Sequence, residues 1–361
     1  MDADDLQSLE EQNIVTWPAI FYAGIILPFS VIGNAAVILV FFLNFKPSAT
    51  RSFILAIGFF SLGLGAVALP VEIYSLFHMY TFPHDALCKS YVFVEIFCTF
   101  GSAAVLLVVA IHRYKKICQP FKVQMTLTMA RILRAIVCVL ALVLALPTFI
   151  LYGTKTVEIP GTRLRGKACG IENDFKGSFY ITIYHYMFLT VFVGGGVTIA
   201  VLYTLVAKKV LLLLRCKCKR VISHDNYNNV IREMMQTVKK RTESQRSDQW
   251  APKRTSGRSD GSRRRRSIAQ SKRTTSMLAV TTLVIFVSFL PSLIIRTTEE
   301  FNFDLISNMS VTEQMVYHVF LRSYYFHCAA SPIIYGAFNA KFRHELRALL
   351  LNRHTGGDVS V

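Results

Sequence analysis

Seven apolar stretches, each about as long as a bilayer crossing, run through this 361-residue chain at 17–43, 53–79, 90–118, 132–152, 178–214, 275–295 and 311–338. A helical span needs about 20 predominantly apolar residues, because about 30 Å of hydrocarbon is crossed at about 1.5 Å per residue. Hydrocarbon supplies no hydrogen bonds, so only helices or closed barrels can cross it. The stretches are continuous apolar runs rather than short alternating ones, which selects helices over a β-barrel. The expected fold is an all-α integral membrane protein, a bundle of seven transmembrane helices followed by a short amphipathic C-terminal helix. Composition agrees, with 53% hydrophobic and only 17% charged residues, against roughly 25% charged in soluble domains.

Basic residues orient the bundle. With the amino terminus outside, 32 of the 40 Lys and Arg fall on the cytoplasmic side, as the retention of cationic loops during insertion requires. The acidic start, Asp2, Asp4, Asp5, Glu10 and Glu11, has no Lys or Arg before Lys46. It lacks the basic first region of a cleaved signal peptide, so the first span is expected to act as an uncleaved signal anchor. The formal charge of +18 follows the same bias. No zinc-finger spacing or stacking-aromatic motif accompanies it, which argues against nucleic acid. The basic loops are suited instead to anionic lipid heads and an acidic partner surface.

Of the eight cysteines, only Cys88 and Cys169 face the oxidising side in this topology, and a bridge would tie the third span to the second outer loop. Between Lys208 and Arg273 the chain becomes polar and basic, too poor in apolar residues for a core, so this inner loop is expected to be largely disordered. Within it, Arg263-Arg264-Arg265-Arg266-Ser267 reads either as a kinase substrate or as a solvated basic cluster. Cys216 and Cys218 read either as palmitate carriers or as free thiols. The terminal Asp358-Val359-Ser360-Val361 can add as a strand to a PDZ domain.

The third span ends in His112-Arg113-Tyr114, 25 residues after Cys88, so each residue of the pair Cys88 and Arg113 sits at one mouth of the same helix. With Gly33-Asn34, Pro70, Cys169, Tyr203, Phe289-Leu290-Pro291, Ser331-Pro332-Ile333-Ile334-Tyr335 and Phe338-Asn339-Ala340-Lys341-Phe342-Arg343, the chain resembles the rhodopsin-like, class A, G-protein-coupled receptors. The likeness runs from Trp17 to Leu351. It divides the chain into an acidic extracellular tail, 1–16; a receptor domain, 17–338, containing the basic loop 208–273; and an amphipathic helix with a short tail, 339–361. It implies a plasma-membrane receptor with a heterotrimeric G protein as partner, and arrestin and kinases acting on the third inner loop.

The resemblance assigns coupling and activation to His112, Arg113, Tyr114, Tyr203, Phe289, Pro291, Ser331, Pro332 and Tyr335. Arg113 engages the G protein when the sixth helix swings outward, with Tyr203 and Tyr335 closing over it. The chain also departs from the family. His112 stands for the usual Asp, Ser61 for the Asp of the sodium site, Ser331 for Asn, Phe289 for Trp, Gly195 for Pro, and the fourth helix has no Trp. With Ser271 at the second acidic position, Arg113 lacks the carboxylates that hold it at rest in relatives, so elevated basal signalling is expected and sodium regulation is not.

Helical periodicity puts Glu95, Ser102, Leu106 and Arg113 on one face of the third span, and Leu321, Tyr324, Cys328, Ser331 and Tyr335 on one face of the seventh. Charged residues within a span turn toward the bundle interior or a water-filled cavity. Ligand contact is therefore expected at Glu95, Glu72, Arg296, Tyr317, Leu321 and Tyr324, with pairing of the acids to Arg296 or Arg322 as the structural alternative. Two acids suggest a ligand with a basic group. The segment from Thr154 to Cys169, with its alternating polar residues, reads as a β-hairpin lid, as in receptors for peptides.

A biogenic amine receptor is the nearest rival, but such relatives use Asp where Glu95 stands and serines in the fifth helix, where this chain has Tyr184, His185 and Tyr186. The seventh span has no Lys for retinal. A membrane enzyme would need clustered ligands, yet His185, His318 and His327 show no compact metal-ligand spacing, so no metal or cofactor is expected. A carrier would show broken helices around a midplane site, and Gly194-Gly195-Gly196 is the single such hint.

Overall fold

A computed structural model describes residues 7–8, 10, 13–159, 164–242, 258–301 and 309–355, with side chains undescribed over 213–272 and in a few flanking positions. After a 3-10 turn capped by Asn13, helix α1 spans Trp17–Asn44. Next come α2 (Ala49–Phe77), α3 (Asp85–Cys118), α4 (Leu127–Leu151), α5 (Phe179–Thr242) and α6 (Arg258–Phe301). The seventh crossing, α7, is assembled from Val311–Leu321, a 3-10 turn at Ser323–Tyr325 and Phe326–Phe338, and α8 follows at Ala340–Thr355. Among the described residues, six helices are long and apolar enough to cross a membrane. The pieces of α7 are each shorter than a span and cross together.

Helix ends carry the capping chemistry that leaves few backbone donors unpaired. Ser48 accepts from Arg51 N at the start of α2, Thr126 from Met129 N before α4, and Ser310 with Glu313 closes a capping box on α7. Two breaks interrupt the spans. Pro70 has no N–H to offer the preceding turn, and α2 absorbs the defect with a π turn at Leu64–Ala68. In α7 the backbone N–H of Arg322 turns to Val319 O, while its guanidinium bonds the vacated His318 carbonyl at 2.9 Å.

The helices bury small and aromatic side chains on inward faces and leave Phe21, Ile25, Phe29 and Ile32 of α1 exposed, as a lipid-facing surface requires. Close approach needs glycine at several contacts, Gly33 and Gly101 among them. An added Cβ would lie 2.7 Å from Pro332 at Gly33 and 2.3 Å from the Phe60 ring at Gly101. Helix α8 is anchored to α1, with Phe342 stacked on Phe41 at 5.7 Å and Glu345 accepting from Asn44 at 2.6 Å.

Within the inner loop 208–273, the described backbone is helical to Thr242 and again from Arg258, and 243–257 lie outside the described residues. Lys, Arg and Gln are good helix formers, and extending an existing helix needs no new nucleus. The side chains of Cys216, Cys218, Ser267 and Ser271 lie outside the described residues, as does the terminal segment 358–361.

Strands β1 (Tyr152–Glu158) and β2 (Arg165–Ile171) form the antiparallel hairpin, in the register Thr154↔Cys169. Cys169 is disulfide-bonded to Cys88 at the start of α3. The segment after α2 adds to the β2 edge, with Lys167 N donating to Tyr80 O at 2.7 Å and Phe82 N donating to Lys167 O at 2.9 Å. Glu10 then accepts from Tyr80 N at 2.9 Å and from the Thr81 hydroxyl, tying the N-terminal segment to this lid.

Candidate functional site

Beneath the hairpin lies a layer of buried charge that joins four helices. In α2, Glu72 accepts from Arg322 Nε of α7 at 2.6 Å and from the Tyr91 hydroxyl of α3 at 2.8 Å. In α3, Glu95 accepts from the Tyr324 hydroxyl of α7 at 2.8 Å and lies 3.7 Å from Arg296 of α6. Both expected acids thus carry arginine partners, so the structural alternative from the sequence is realised for each. The partners are not equally enclosed. Side-chain exposure is 11% for Arg322 and 8% for Glu72, but 40% for Arg296 against 12% for Glu95. The accessible charge of this layer is the Arg296 guanidinium.

The remaining expected contacts surround that point. Tyr317 is buried and donates to Glu299, one turn beyond Arg296, and Leu321 is half-buried at the break in α7. On the lid, burial pushes the half-buried Lys155 ammonium below its ordinary range, and Glu299 opposes the shift. Below the layer, Phe289 stacks on Tyr324 at 5.7 Å and meets the tilted ring of His327 at 5.3 Å. Pro291 lies within α6 two residues on, and Ser323 of α7 donates to Ser288 O at 2.7 Å. The aromatic step therefore connects the charged layer to the part of α6 around its proline.

At the opposite end of α3 lies Arg113, which is 1% exposed. Arg113 donates to the Thr50 hydroxyl of α2 at 3.2 Å, and His112 Nε2 lies 3.4 Å from the same oxygen. Among the described residues no carboxylate is within ion-pair distance of Arg113, and its Nε has no hydrogen-bond partner. Tyr203 pairs with Thr282 at 3.4 Å, Tyr114 accepts from Gln119 at 3.5 Å, and the Tyr335 hydroxyl is buried without a partner among the described residues. Ser331 donates to His327 O at 2.9 Å, one residue before Pro332 inside α7. Ser61, expected to stand for the Asp of the sodium site, is fully buried in α2.

Two features were missed by the sequence reading. Thr50 gave no signal as a lone threonine near a helix start, although Ser48 three residues before Arg51 marks that start as a cap. Phe121 is fully exposed in the turn after α3, and an aromatic directly after Pro120 in a basic loop was the sign available.

Comparison with known proteins bears on the fold. The family model of the 7 transmembrane receptor (rhodopsin family) matches residues 33–335. Neurotensin receptor type 1 of Homo sapiens is 27% identical over 154 residues, 41% of this chain and 36% of that relative. Putative neuropeptide Y receptor 11 of Caenorhabditis elegans is 26% identical over 331 residues, 90% of this chain and 73% of the relative. The 5-hydroxytryptamine receptor 2B of Rattus norvegicus is 26% identical over 180 residues, 48% and 36% of the two chains. The chain thus aligns with about a third of the length of the human neurotensin receptor.

Proposed function

The chain belongs to the rhodopsin family of seven-transmembrane receptors, and on that premise we propose that it is a peptide receptor signalling through a heterotrimeric G protein. A member of this family is a multi-pass membrane receptor and not an enzyme. In this reading it sits in the plasma membrane with the hairpin end outside and the Arg113 end and carboxyl terminus in the cytoplasm, as the distribution of basic residues favours. Kinases and arrestin acting on the loop 208–273, and lipid heads meeting its basic residues, belong to the same reading.

The observation that carries the ligand class is the capture of Glu95 by Arg296 and Tyr324. A small amine would need that carboxylate free, whereas a peptide can span the strand-built lid and reach both members of an ion pair. Two of the three relatives described above are named for peptides and one for an amine. Because Arg296 is the more exposed partner, the reading changes the expected ligand feature from a basic group to a carboxylate. Charge-assisted bonds from a guanidinium fork suit a carboxylate well.

Inside, Arg113, Tyr203 and Tyr335 receive the G protein, with exposed Phe121 as an additional apolar contact. Phe289 and Pro291 link ligand to coupling end through the aromatic step on Tyr324. Cells expressing the chain, screened against peptide and amine libraries with calcium and cyclic-AMP readouts, test the reading. It requires a peptide response, and a response to amines alone overturns it.

A further inference from the structure

The hairpin has two unlike faces, because cross-strand partners share a face. One face carries Cys169 and its bond to Cys88. The other is built from the pairs Gly153↔Gly170, Lys155↔Ala168 and Val157↔Gly166, so Lys155 is its single charged residue. The lysine stem lies flat on this face. A Cβ added at Gly170 would fall 2.9 Å from Lys155 Cε and 3.2 Å from Nζ. Gly170 pairs with Gly153, which is nearer the root of the hairpin than Lys155, so glycine there lets the side chain fold toward the bundle instead of out into water.

That placement leaves the ammonium short of a partner while keeping it within reach of solvent. Lys155 is half-buried and makes no hydrogen bond or ion pair among the described residues. Burial and the exposed Lys176 both oppose its charge, and Glu299 alone supports it. Glu299 in turn already accepts from the Tyr317 hydroxyl. Arg296, one turn earlier in α6, is the accessible partner of Glu95. Around this point Arg296, Lys155 and Lys176 outnumber Glu95 and Glu299. A partly desolvated cation without a direct partner is costly, and an anionic group brought in from outside offsets that cost.

Resting on the peptide-receptor reading, we propose that Lys155 determines ligand specificity by taking an Asp or Glu side chain of a peptide whose C-terminal carboxylate lies on Arg296. Of the two sites Arg296 is the deeper, since α6 runs outward from Arg296 to Glu299, and a chain end reaches a deep charge without doubling back. The step from Arg296 to Glu299 is about 4.5 Å of helical rise. An extended peptide advances about 3.3 Å per residue, which places the acid within about three residues of the terminus. Lys155 supplies a charge-assisted bond to that acid and none to its amide counterpart. Gly170 is a positioning residue, because it gives the lysine room to lie down.

The test uses cells expressing the full chain and pools of acetylated hexapeptides with a free C-terminal carboxylate, in which one position at a time is fixed as Glu, Gln or Lys and the rest are randomised. Calcium and cyclic-AMP responses are normalised to surface labelling. On the wild type, Glu pools fixed close to the terminus are expected to be about tenfold more potent than the matching Gln pools. Lys155→Gln should make the two equal, and Lys155→Arg should keep the preference. Lys155→Glu should favour the Lys pools at the same position. Gly170→Ala, which lifts the lysine from the sheet without removing its charge, should shrink the Glu preference. Equal Glu and Gln pools at every position on the wild type, or a Glu preference that survives Lys155→Gln, overturns this proposal and leaves the receptor reading standing. Silence toward every pool overturns that reading and this proposal with it.

Discussion

The guanidinium of Arg322 lies 2.6 Å from the carboxylate of Glu72, 250 residues away along the chain, and both side chains are buried. That bond fixes α7 to α2 at the height where α7 breaks, and the same guanidinium caps the carbonyl that the break exposes. Removing one partner leaves an unpaired buried charge, which costs about 3–5 kcal/mol, whereas replacing both with apolar side chains of similar volume is often neutral. Glu72→Gln and Arg322→Gln are each expected to lower the apparent unfolding temperature sharply. The double change Glu72→Leu with Arg322→Met should recover much of the loss. Additive losses in the double variant would contradict the pairing.

Cys88→Ala and Cys169→Ala are each expected to reduce surface expression or agonist response strongly, since the disulfide is the covalent tie between the hairpin and α3. Each single variant should match the double, because either one opens the same bond. The check is surface labelling beside mass spectrometry of the intact protein, where two free thiols would contradict the bridge.

Gly101→Ala places a Cβ 2.3 Å from the ring of Phe60, and such overpacking costs about 1–3 kcal/mol. A smaller ring partner should relieve it. Phe60→Leu combined with Gly101→Ala is expected to unfold at a higher temperature than Gly101→Ala alone, and a lower value would mean the two helices do not meet there.

The spans were legible because a continuous apolar run of bilayer length has few other meanings in a polypeptide. Arg113 and Cys88 were legible as the two ends of one helix. Periodicity also gave the buried faces correctly, since Glu95, Ser102, Leu106 and Arg113 are all enclosed. It could not choose between a ligand and a partner. A helical wheel says that Glu72 faces inward but not which residue will meet it, so ligand contact and pairing with Arg296 or Arg322 both stayed open until the fold joined each acid to an arginine. The break in α7 was hidden because the apolar pattern continues across Arg322.

Arg296→Gln is expected to weaken a carboxylate-bearing peptide agonist about tenfold or more, the equivalent of about 1.4 kcal/mol, as loss of one charge-assisted contact implies. Glu95→Gln should weaken it less, because it frees Arg296. Amidating the carboxylate that Arg296 reads should reproduce the loss in the wild-type receptor and add nothing in Arg296→Gln. Equal potency for acid and amide forms of every active peptide would remove Arg296 from the ligand site.

The central claim, that this chain activates a G protein through an arginine held at rest by Thr50 in place of a carboxylate, is tested most directly by nucleotide exchange. The purified chain in nanodiscs is mixed with a panel of heterotrimers covering each α-subunit class, without agonist, and guanine-nucleotide exchange is timed. A bond from a guanidinium to a neutral hydroxyl secures the resting state less well than one to a carboxylate, and a difference of about 1.4 kcal/mol shifts the active fraction tenfold. The account predicts exchange above empty nanodiscs for at least one heterotrimer, raised further by Thr50→Val, lowered by His112→Asp and abolished by Arg113→Ala. Exchange equal to empty nanodiscs for the whole panel, unchanged by Thr50→Val and His112→Asp, would contradict it.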